Sequence, residues 1–149
     1  MAGLIAYPKV LAALTELGFD DFMWWCGFSI SKSPQGLSLF WHQDSLFWND
    51  PVSYTTQAQQ WFLMYYLVDT TPQNGCLRVI PGFHLNRHPL RDRLWRHTEQ
   101  TMHKKPRQVT PPSKLRWVKF VPVKAGDLVI GDARVFYAVH SNRADKQLE

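Results

Sequence analysis

Cysteine is scarce in this chain of 149 residues. Cys26 and Cys76 are its only two, and they stand far apart. That excludes a disulfide framework and argues against a zinc knuckle, both of which need clustered thiols. An apolar run of about 18 residues is missing as well, and so is a cleavable leader, so no membrane-spanning helix is expected. Internal repeats and low-complexity tracts are absent. Together these absences lead to the expectation of a cytoplasmic protein in a reducing compartment, with no membrane partner. Acidic residues are scarce in one region. Between residues 85 and 124 there are eleven Lys and Arg against only Asp92 and Glu99, a net of +9, although the whole chain carries only +5. The basic character therefore belongs to one segment and not to the domain as a whole.

What is present is apolar and aromatic. Hydrophobic residues make up 45% of the chain, enough for one core but at this length not for two, so residues 1–149 read as one domain. Tyr7 to Gly18 has apolar residues at helical spacing, Pro8 near its start and Gly18 at its end, which predicts a short peripheral helix. Phe22 to Ile30, Leu37 to His42, Ala58 to Val68, Cys76 to Ile80 and Leu115 to Val123 are rich in aromatic and branched residues. Each is bounded by Pro, Gly or Asn turns, and each is expected to be a strand. A later apolar run, Asp127 to His140, contains Gly131, expected to ease a bend in the strand, together with Asp132 and Arg134, expected to be structural. Many short strands and little helix predict an all-β sandwich or barrel with peripheral helices. Residues 85 to 112, bounded by Pro-Gly and Pro-Pro, are expected to form a mobile loop over or beside the barrel mouth.

Chemistry enters at Trp41-His42-Gln43-Asp44. In a strand, residues two apart share a face, so His42 and Asp44 would present an imidazole and a carboxylate side by side. An isolated His-x-Asp is often just two solvent-facing side chains. With a third ligand it becomes a metal site, and His140, closing the late apolar run, is the candidate. Two imidazoles and one carboxylate on one side of an iron leave positions open for a co-substrate and dioxygen, the requirement of a non-haem Fe(II) oxygenase. His84, His88, His97 and His103 compete for the third place. Their neighbours Arg87, Arg91, Arg93, Lys104 and Lys105 would repel a divalent cation. Trp41, Phe47 and Trp48 flank the pair and are candidate pocket walls, although alternation sends some of them into the core.

The order Trp41-His-Gln-Asp44, Asn74-Gly-Cys-Leu77, Val79-Ile-Pro-Gly82, Gly126-Asp127 and His140-Ser-Asn-Arg143 resembles the phytanoyl-CoA dioxygenase family across most of the chain. The resemblance implies a double-stranded β-helix, the cupin-like jelly-roll barrel. It also implies iron(II) held by His42, Asp44 and His140, with 2-oxoglutarate and dioxygen as co-substrates. Relatives that halogenate lack the carboxylate that Asp44 retains, so the implied reaction is hydroxylation of a small or medium organic substrate, lipid-derived or a secondary metabolite. The basic stretch would suit an anionic one. Met64 stands where relatives usually place a Trp against 2-oxoglutarate, and Lys32 matches a Lys-Pro strand end, so both are candidates for the co-substrate site. Relatives hold the far carboxylate of 2-oxoglutarate with an Arg beyond the distal His. Neither Arg143 nor Lys146 stands at the matching place, and the chain ends at Glu149. The expectation is a barrel incomplete at its C-terminus, lacking its last strand or strands, that binds 2-oxoglutarate weakly.

Two other readings stand beside this one. The basic stretch with Trp95 and Trp117 has the composition of a nucleic-acid-binding module, the lesser reading. A catalytically inactive cupin-like scaffold would keep the fold without the chemistry.

Overall fold

A computed structural model describes residues 2–27, 29–45, 47, 50–86 and 117–143. Most of the basic stretch lies outside them, with His88, His97, His103, Trp95 and residues 87–112 of the loop expected over 85–112, and so do Trp48 and Lys146. The chain divides into two compact units, residues 1–31 and 32–149.

The first unit is helical at its start. A single turn, α1 (Ala2–Ile5), precedes α2 (Pro8–Glu16), where Pro8 supplies a preset φ at the position whose N–H needs no partner. Val10 and Leu14, four apart, are the buried pair of α2. Its end is closed by a left-handed Gly18 (φ 81°): Gly18 N donates to Thr15 O and Phe19 N to Leu14 O, both at 2.9 Å. This is the Schellman arrangement, in which a residue without Cβ takes the conformation other residues resist. The expected strand over Phe22 to Ile30 does not form among the described residues. Met23, Trp25 and Ile30 are exposed there, and strand propensity without a partner ladder does not make a strand.

The second unit is β. Strands β1 (Trp61–Tyr65) and β4 (Leu128–Asp132) pair antiparallel as one two-stranded sheet. The other sheet has the order β3 (Lys119–Val121), β2 (Leu77–Ile80), β5 (Phe136–Val139), also antiparallel. The late apolar run is thus two strands in two sheets, turned at Ala133-Arg134, where a single strand bent at Gly131 had been expected. Gly131 has a different task. It faces Phe62 across the β1–β4 ladder, and a Cβ built on it would lie 2.2 Å from the Phe62 ring. Only glycine lets that ring cross. Leu37 to His42 runs beside β5, but only His42 pairs with it as a bridge, so the expected strand is reduced to one residue of ladder. The two sheets do not close into a barrel among the described residues.

The core of this unit is one side of the three-stranded sheet: Trp41, Ile80, Phe136 and Ala138, with Phe83 and Val118 against them. Trp41 is therefore a core residue and not a pocket wall, while Phe47 is exposed. At the β4–β5 turn Arg134, 2% exposed, is held by Asp132 at 2.6 Å and donates to the carbonyls of Ser53 (3.2 Å) and Thr55 (2.6 Å). Gln43 Nε2 donates to the Arg134 carbonyl, and Asp44 N and Ser45 N both donate to Ala133 O. The segment bearing His42 and Asp44 is thereby bolted to the β4–β5 turn and to the 3-10 turn Pro51–Tyr54.

Arg134→Ala leaves the Asp132 carboxylate without its guanidinium where little water reaches, so it is expected to cost about 3–5 kcal/mol of stability in urea unfolding. A loss under about 1 kcal/mol would place this pair with ordinary surface bridges.

Candidate functional site

The site grows from the bridge between His42 and Tyr137. His42 N donates to Tyr137 O at 3.0 Å and Tyr137 N to His42 O at 3.1 Å, so the two residues sit directly opposite with side chains on the same face. Their ring centroids are 4.1 Å apart. On the His42 ring, Nδ1 lies 2.8 Å from the carbonyl of Phe40. A carbonyl only accepts, so Nδ1 carries the proton and the neutral ring keeps its lone pair on Nε2. Nε2 in turn faces Asp44 Oδ1 at 3.7 Å. A ring nitrogen lone pair and a carboxylate oxygen at this separation are the donors a cation brings together, and fixing the tautomer through a backbone carbonyl is the usual second layer of a metal histidine.

The other oxygen of Asp44 is engaged. Tyr137 donates its phenol hydrogen to Oδ2 at 2.6 Å. Burial, and after it the Asp44 carboxylate, push the Tyr137 phenol well above its ordinary value. Phe62, freed by Gly131, extends this face to 5.2 Å from the Tyr137 ring. Met64, two residues further along β1, shares the Phe62 face, pairs with Val129 and receives the Tyr66 hydroxyl on its sulfur at 3.8 Å.

His140 lies elsewhere. The β2–β5 register runs unbroken from Val79↔Tyr137 through Leu77↔Val139, the bond from His140 N to Cys76 O, and the bridge Asn74↔Asn142. Alternation then turns His140 to the side opposite Tyr137, where its ring meets Phe120 at 5.5 Å. Its Nδ1 donates to Ser141 O at 3.2 Å. Burial lowers its affinity for a proton and so do the cations Arg78, Arg143 and Lys32, while the Ser141 carbonyl acts in the other direction. The structure brings His42 and Asp44 together and does not bring His140 to them. No group of three His, Cys, Asp or Glu side chains placed to hold a metal ion occurs among the described residues.

Around His140 gather the turn residues of the sequence motifs. Lys32 donates to the His140 carbonyl, and Asn142 Nδ2 reaches the carbonyls of Lys32 (3.3 Å) and Ser33 (3.2 Å). In the Asn74-Gly75 turn, Asn74 Oδ1 accepts from Thr71 N at 2.5 Å, and Gly75 takes φ 99° with Lys32 packed on it. A Cβ there would stand 3.1 Å from Lys32 Cδ and 3.2 Å from His140 O. Arg78, on β2, lays its guanidinium 5.3 Å from the centre of the Trp41 ring, and its buried Nε has no hydrogen-bond partner among the described residues. The sequence reading missed Tyr137 and Arg78. Tyr137 stands in the late apolar run, and only the strand register distinguishes its face from that of His140.

Residues 7–147 match the phytanoyl-CoA dioxygenase family, and the chain belongs to it. Family members are typically Fe(II)/2-oxoglutarate oxygenases. Among solved structures it is similar to the non-heme monooxygenase ThoJ in its nickel complex (TM-score 0.60, 21% identity, 97% of this chain and 48% of that one). It is also similar to the non-heme alpha-ketoglutarate-dependent carbocyclase SnoK of nogalamycin biosynthesis (TM-score 0.50, 23% identity, 77% and 43%). At these identities the likeness is one of fold, and this chain spans about half the length of either. No curated protein matches the sequence significantly. No described helix is long and apolar enough to cross a membrane, and Cys26 and Cys76 are free thiols.

Burial, then Arg78, lowers the Lys32 ammonium from 10.5 to about 8, with Cys76 acting weakly the other way. Since folding disfavours its charged form, Lys32 opposes folding at low pH and ceases to do so above the unfolded value. Stability is expected to rise from about pH 8 to 10.5. Thermal unfolding across that window should show a smaller rise in Lys32→Met than in the parent, and identical slopes would refute the assignment.

Proposed function

We propose that this chain is the domain of a non-haem Fe(II)- and 2-oxoglutarate-dependent oxygenase that hydroxylates a small or medium organic substrate, with His42 and Asp44 as its metal-side residues. The observation that supports the reading most directly is the His42 ring itself, protonated toward Phe40 O and turned with its Nε2 lone pair to Asp44. The double-stranded β-helix is proposed on the same footing, from two antiparallel sheets in the order described and the likeness to ThoJ. For the co-substrate, Lys32 offers a cation and Met64 an apolar wall.

The donor set fits iron only in part. A facial site needs a third protein ligand, and His140, the residue the sequence offers, faces away with three cations about it. The same observation favours a second reading, a scaffold of this family that has kept the fold and lost turnover.

Anaerobic titration with ferrous iron and then 2-oxoglutarate separates the two. Under the first reading a charge-transfer band grows with both present and vanishes in His42→Ala. Under the second no band forms in the folded parent chain.

A further inference from the structure

The third corner of the His42–Asp44 site is occupied by a side chain of this chain. We propose that Tyr137 stands where the third metal ligand would be, holding Asp44 through its phenol, so that His42 and Asp44 alone face a divalent cation. The inference rests on reading those two residues as the metal side of the site.

Three observations converge on it. Tyr137 is the residue directly opposite His42 in the backbone bridge, so no other position of β5 brings a side chain as close to that imidazole. Its hydroxyl reaches Asp44 Oδ2 at 2.6 Å, the length of a charge-assisted bond from a phenol to a carboxylate. That bond uses an oxygen a cation would otherwise share.

The third is that His140 has no way round. To turn to the His42 side it would need the β5 ladder to slip by an odd number of residues, three to stand directly opposite, and such a slip turns every side chain of the strand over. Phe136 and Ala138, both essentially buried in the core, would leave it. The bonds from His140 N to Cys76 O and from Asn142 N to Gly36 O would be lost as well. Nor do its surroundings suit a cation, since the charged groups acting on it are Arg78, Arg143 and Lys32.

An imidazole at position 137 would differ from the phenol in reach. It is shorter, would stop before Asp44, and would leave a gap bounded by two ring nitrogens and a carboxylate. Tyr137→His is therefore the substitution that completes the site, while His140→Ala removes nothing from it.

The test is anaerobic titration of the full chain with cobalt(II), reading affinity and the visible ligand-field bands, which report the number and kind of ligands. Tyr137→His is expected to bind at least roughly 100-fold more tightly than the parent, since even partners outside the ligand shell change affinity by about 10–100-fold, with stronger bands. His140→Ala should leave affinity unchanged in both backgrounds, and Tyr137→Phe should not weaken it. A loss of roughly 10-fold or more in His140→Ala would make His140 the third ligand and overturn the proposal. So would loss of binding in Tyr137→Phe, which would make the phenol oxygen a ligand, or an unchanged affinity in a folded Tyr137→His. Should Tyr137→His fail to fold, the His140→Ala and Tyr137→Phe arms decide alone. Adding His42→Ala to each background tests the underlying reading separately. If cobalt binding survives that change everywhere, the metal lies outside the His42–Asp44 pair, and the parent reading fails before the assignment of Tyr137 is reached.

Discussion

The two backbone hydrogen bonds between His42 and Tyr137 decide which side chains meet. They set the parity of the segment beside β5, and the β2–β5 ladder carries that parity to Asn142. On one side lie Trp41, Ile80, Phe136 and Ala138, the core; on the other lie His42, Asp44, Tyr137 and Phe62. The bonds themselves are not what enforces this register. A backbone hydrogen bond contributes about 1 kcal/mol net, and a shifted ladder would form others like it. Burying a Phe or Ile side chain contributes roughly 1.5–3 kcal/mol, and a one-residue slip would forfeit several of these at once. The buried cluster around Phe136 and Ala138 therefore selects the register, and the His42–Tyr137 side inherits its geometry.

That inheritance explains why the two ends of the unit differ so much. At the β4–β5 turn most polar groups are closed in pairs: Arg134 with Asp132 and two carbonyls, Gln43 Nε2 with the Arg134 carbonyl, Asp44 and Ser45 with Ala133, while Gln43 Oε1 is buried without a partner among the described residues. At the Asn74-Gly75 end, Lys32 and Arg78 are half-buried, and the charges that shift them include no carboxylate. Arg78 offsets part of its desolvation on the Trp41 face, and Lys32 through the His140 carbonyl. Positive charge held this way suits an organic anion far better than a divalent cation, which is why His140, sitting among these cations, is poorly placed to ligate metal.

Much of the scaffold was legible because turns impose local requirements. Pro8 and Gly18 bracket α2, while Gly75 and Gly126 take positive φ at the motif turns where the sequence placed them. The pairing of His42 with Asp44 followed from alternation alone. What escaped was what depends on partners. Phe22 to Ile30 has strand composition but nothing to pair with among the described residues, and the run from Asp127 to His140 is divided between two sheets by a turn at Ala133-Arg134 that contains neither Gly nor Pro. Gly131 looked like a bend and is a crossing point for Phe62, a contact between strands that nothing local announces.

The third corner shows why family membership and site chemistry are separate questions. The motifs that place this chain among the phytanoyl-CoA dioxygenases are largely backbone devices: an Asn-Gly turn that admits Lys32, an Asn142 that ties down residues 32 and 33, a Gly-Asp turn before β4. Such residues shape the backbone, whatever the side chains inside the site do. A histidine late in the chain satisfies the same pattern by its letter and its approximate place. Its usefulness as a ligand turns on parity, which the pattern does not encode and the ladder does. Tyr137 and His140 are three apart, an odd number, and in an unbroken strand an odd separation puts two residues on opposite faces. Whichever of them looks at His42, the other cannot, and the bridge from His42 to Tyr137 makes that choice.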